Sequence, residues 1–96
     1  MTLVSLTKPE IKHKDHFDQD LIRSALIAEL DATNLYQSHL DNINDEGAKK
    51  VIKHIIDEER EHIAEFYCLL MRLDKTQEEK MTEVNASTCI AGGFVE

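Results

Sequence analysis

Within the stretch DEEREHIAEF (residues 57–66), Glu59 and His62 form a Glu-x-x-His pair, one helical turn apart. The surrounding segment, AKKVIKHIIDEEREHIAEFYCLLMRL, repeats with the period of a helix. Its apolar residues fall at 48, 51, 52, 55, 56, 63, 66, 69, 70 and 73. Glu59 and His62 share that apolar stripe. A carboxylate there costs several kcal/mol unless it is paired or bound to a cation. Glu29 poses the same problem on a second helical face, formed by Ile22, Leu26, Ala32, Tyr36 and Leu40. Arg23, Lys49, Lys50, Lys53 and Arg60 all fall away from both faces, so bound cations are the partners that would solve it.

The residue types suit a particular centre. Carboxylate-bridged di-iron sites in four-helix bundles take one Glu from each of two helices and a Glu-x-x-His from each of the other two. This chain supplies half of that set: Glu29, then Glu59 and His62. Two copies meeting about a two-fold axis would complete it. Their four carboxylates, with neutral imidazoles, would balance two divalent ions. Mixed carboxylate and imidazole donors suit iron, with manganese or zinc as substitutes.

The elements that position these residues follow from the pattern. A helix is expected to open near Asp18, with Asp18 as N-cap and Phe17 and Ile22 as a hydrophobic staple. It runs to the turn cluster Asp41–Gly47, beyond which a second helix covers about Asp45 to Asp74. Thr76-Gln77-Glu78-Glu79 matches a capping box and predicts a short third helix ending near Asn85. The long helices should measure about 36 and 45 Å, and their short connection makes them an antiparallel hairpin. Glu29 and Glu59 lie about equally far before and after the turn, so the hairpin sets them level. No strand-like alternation occurs.

The expected organisation is an all-α domain over residues 18–85, flanked by a flexible arm (1–17) and a flexible tail (86–96). A two-helix hairpin cannot cover its own apolar surface. Ile27, Leu30 and Leu35 widen the first helix's apolar face over most of its circumference, which predicts self-association through more than one interface; the half set of donors predicts that dimerisation completes a four-helix bundle. Asp57, Glu58, Arg60, Glu61 and Glu65 read as solvated charge. His54 falls on the polar flank beside Glu58 and Glu61; His39 sits at a stripe edge; His13 and His16 lie in the arm.

Composition narrows the function further. The 96 residues carry a formal net charge of -8, which disfavours nucleic acid and anionic membranes and attracts cations. No stretch approaches the roughly 20 apolar residues of a membrane span, and the N-terminus lacks the pattern of a secretory signal. Cys68 and Cys89 form no metal or redox spacing and read as reduced thiols of a cytoplasmic protein; Cys68 faces nearly opposite Glu59.

IAELDATNLYQSHLD followed by IIDEEREHIAEF resembles the encapsulated ferritins, half-ferritins of the ferritin-like superfamily, over roughly residues 18–85. The resemblance implies a ferroxidase: a di-iron centre formed between two subunits that binds Fe2+ and oxidises it with O2, in dimers assembled into a decameric ring. It implies Glu29, Glu59 and His62 as ligands, Tyr36 beside the centre, and Asp31 near the path by which metal enters. Ala28 stands where the family commonly has a second Glu, and Leu35 where it has a Trp. An encapsulin shell is the partner the family implies, yet STCIAGGFVE lacks a clear match to its Gly-Ser-Leu-rich targeting peptide. The alternative is a non-catalytic helical oligomerisation module with a structural metal site.

Overall fold

The computed structural model describes residues 17–84. Three helices follow one another: α1 (Phe17–Asn42), α2 (Glu46–Leu73) and α3 (Lys75–Glu83). The architecture is all-helical among the described residues, a two-helix hairpin with a short third helix. The expected arm up to residue 16 and the tail from residue 85, with His13, His16 and Cys89, lie outside the described residues.

The turn end of the hairpin is built by short-range bonds. Ile43 N–H donates to His39 O (2.9 Å), and Asn42 Nδ2 donates to Ser38 O (2.7 Å), so both close the last turn of α1. Asp45 then caps α2, its carboxylate accepting from the Ala48 N–H at 2.8 Å. Gly47 keeps that cap open, because a Cβ there would stand 3.2 Å from Asp45 Oδ2.

At the opposite end one residue joins three helices. Asp74 is the C-cap of α2, with its N–H on Leu70 O, and also the N-cap of α3, with its carboxylate accepting from Gln77 N–H. The Arg23 guanidinium of α1 donates to the same carboxylate, and Gln19 Nε2 donates to Leu73 O at 2.8 Å. These contacts bring the start of α1 to the end of α2, which makes the hairpin antiparallel. They also correct two expectations. Asp74, not the Thr76 capping box, opens α3, because the dual cap leaves no room for a linker. Asp18 lies within the first turn of α1 together with Asp20, where a negative charge meets the positive helix end, and is not the residue before it.

The Gln77 N–H, and then the Arg23 charge, hold the Asp74 carboxyl below its ordinary value of 3.8. A depressed carboxyl contributes stability that is present above 3.8 and lost as pH falls through the lower folded value. Asp74→Ala should therefore melt below the unsubstituted chain at neutral pH. The gap should narrow as acid protonates Asp74, measured by circular dichroism melts across pH.

Between these ends the helices share a thin core. Leu26, Ala32, Ile56 and Leu70 are buried, and no large side chain among the described residues is fully enclosed. Leu21, Ile27, Leu30, Leu35, Val51 and Tyr67 stay exposed on the long helices, Ile27 at 47% and Val51 at 58%. A lone hairpin covers one stripe per helix and leaves the rest to water. No helix among the described residues is long and apolar enough to cross a membrane.

Candidate metal centre

Midway along the hairpin, Glu29 of α1 faces Glu59 and His62 of α2. One potential ligand atom from each of the three lies within 4.8 Å of the other two. His62 Nδ1 stands 3.6 Å from Glu29 Oε2 and 3.9 Å from Glu59 Oε2. Both distances are too long for hydrogen bonds. They suit a shared ion better: two donors about 2.1 Å from one metal stand at most about 4.2 Å apart.

Burial differs among the three. The Glu59 side chain is 16% exposed, Glu29 23% and His62 48%. At 100° per residue, His62 is rotated about 60° from Glu59, which carries it from the centre of the apolar stripe to its solvent edge. Glu59 Oε2 is sealed from solvent and has no hydrogen-bond partner, the one such side-chain atom among the described residues. A buried unpaired carboxylate oxygen is costly and calls for a partner. Among the described residues, no cation provides it. Arg60 turns to Asp57, Arg23 to Asp20 and Asp74, and Lys49 to Glu46. Two carboxylates and a neutral imidazole leave two negative charges, which match one divalent ion.

The flanking residues sort differently. Tyr36 lies two helical turns from Glu29 and meets His39 edge-on, with ring centroids 6.2 Å apart. Asp31 is half-buried and stands outside the three-donor group. His54 pairs with Glu58 at 3.2 Å on the exposed flank expected for it, and Cys68 is exposed. Glu65 is exposed, as expected of the solvated charges, and it borders an open cleft of about 310 Å³ together with Glu29, His62, Phe66 and Leu69.

The chain is 49% identical over 63 residues to the encapsulin nanocompartment cargo protein EncC of Myxococcus xanthus, covering 62% of this chain and 48% of that protein. It is 37% identical over 95 residues to a ferritin-like-encapsulin shell fusion protein of Pyrococcus furiosus, covering 99% of this chain and 24% of that protein. The chain thus matches about half the length of the first relative and a quarter of the second. No solved structure matches it significantly. The family model designated EncFtn-like matches residues 6–87, a span that contains both long helices and all three donors. The chain belongs to the EncFtn-like family.

Proposed function

We propose that this chain is a ferroxidase subunit, which binds Fe2+ at Glu29, Glu59 and His62 and promotes its oxidation by O2 to Fe3+. The observation that carries the reading is the Glu59 oxygen, sealed from water without a partner and facing a second carboxylate and an imidazole. Glu29 and Glu59 would neutralise the incoming charge. His62 would donate a ring nitrogen from the solvent edge, and imidazole binds metal only in its neutral form. Carboxylates can shift between one and two points of attachment, which lets the same side chains serve iron in both valences.

One chain carries half of the donor set of a bundle di-iron centre. We therefore assign the other half to a second copy, whose donors would meet this chain at the open side of Glu29 and His62. Ile27 and Leu30 lie about 160° and 100° from Glu29 around α1, and Leu35 about 120° on its other side; their exposure supports further contacts between copies. Decameric assembly is the larger state that the family resemblance suggests. The family resemblance is the ground for proposing Tyr36 beside the centre and Asp31 near the metal's path.

The hairpin encloses no space for mineral, so iron oxidised here must pass to another compartment. An encapsulin shell is the proposed recipient, since the two relatives are named as a cargo of such a shell and as a fusion to one. The competing reading, a non-catalytic oligomerisation module with a structural ion, shares the donors and lacks the oxidation. Fe2+ added to the protein under air separates them. The ferroxidase reading expects a rapid rise of Fe3+ absorbance. Oxidation no faster than in buffer would overturn it.

A further inference from the structure

At the end of the hairpin opposite the turn, one carboxylate is shared between two helices. One oxygen of Asp74 accepts from the Gln77 N–H of α3 at 3.1 Å, and the other accepts from the Arg23 guanidinium of α1. Arg23 is held in reach by Asp20 and Gln19, and Gln19 Nε2 in turn donates to Leu73 O. All of these bonds lie within a single chain, and none involves Glu29, Glu59 or His62.

Little else holds α3. Its nine residues fall short of the roughly 12–15 that an isolated helix needs in water. None of them is buried. The helix packs on α2 and not on α1. Its internal side-chain bonds, Lys80 to Glu83 and Thr82 to Glu78 O, are exposed and add little. Arg23 therefore reaches α3 only through Asp74. We propose that the Arg23–Asp74 pair is a conformational latch: closure of α1 on α2 at this end orders α3, and release of Arg23 lets α3 unwind while the rest of the hairpin stays folded. The guanidinium fixes the carboxylate so that its other oxygen faces the first turn of α3. Without Arg23 the Asp74 side chain is free to turn toward water, and that turn loses its acceptor.

Amide hydrogen exchange on the whole chain tests the latch. In Arg23→Gln, the amides of residues 79–83 should exchange roughly two- to fivefold faster, the range for a partly exposed ion pair. Amides around Ile56 should keep their protection. Salt at about 0.5 M should speed the same α3 amides in the unsubstituted chain and shrink the difference. Asp74→Asn keeps an acceptor for the Gln77 N–H and removes the charge that holds Arg23. It should match Arg23→Gln, and the double variant should add nothing further, which two independent surface contacts would not reproduce. Unchanged exchange of α3 in Arg23→Gln would overturn the latch and mean that other contacts hold the helix, those of a second copy among them. Equal acceleration throughout α1 and α2, or fully additive effects of the two substitutions, would overturn it as well.

Discussion

Glu59→Ala is expected to lower the rate of iron oxidation on the order of 100-fold or more while leaving the helices intact. Loss of a residue that merely orients a ligand already costs about 10–100-fold in affinity or activity, and Glu59 is proposed as a ligand itself. It is also the least exposed of the three donors, so water cannot readily take its place. The fold should tolerate the change. Alanine has the highest helix propensity, and the substitution removes an oxygen that is buried without a partner. The metal-free variant should melt no lower than the unsubstituted chain, because such an atom costs about 1–3 kcal/mol. His62→Ala should lose activity in the same way, with less effect on melting, since His62 is half-exposed. Oxidation rates and helical melts on the same preparations check both halves of this expectation. A Glu59→Ala chain that oxidised iron normally would remove Glu59 from the centre.

Ile56→Ala should have the largest effect on stability. Ile56 is 3% exposed, the lowest value among the four buried apolar residues of the described core. Truncating a buried isoleucine costs about 2–5 kcal/mol, from lost apolar transfer and the cavity left behind. Small domains hold about 5–15 kcal/mol in total, so few other contacts can compensate. The melting midpoint should fall by roughly 10–30 °C for a chain of this size. Val51→Ala, at a position 58% exposed, should change stability by no more than about 0.5 kcal/mol. Thermal melts in the absence of metal distinguish the two. A small effect at Ile56 would mean that the hairpin core is not where its stability resides.

The long helices were legible because their signals are local. Asp45 announces α2 through its own side chain and the turn cluster before it, and the apolar period carries through to Leu73. Glu29, Glu59 and His62 could be grouped because an antiparallel hairpin fixes which positions stand level. The junction at Asp74 was less legible. Its role depends on Arg23, 51 residues away, and on one side chain serving two helices at once. The capping box at Thr76 looked stronger by type, yet the tertiary contact prevailed. The cleft beside Glu29 and His62 was not legible for a different reason. Periodicity places a residue on a face, but it does not show where two helices diverge enough to leave a cleft. Glu65, read as solvated charge, is exposed.

The central claim is that this chain holds half of a two-metal centre and that a second copy supplies the rest. Anaerobic Fe2+ titration followed by native mass spectrometry tests it most directly, because mass reports the assembly and the bound ions together. The account predicts dimers that take up roughly one ion per chain, with the Glu59→Ala chain failing to load. Saturation of a single chain without assembly, or a dimer whose iron uptake survives Glu59→Ala, would contradict it.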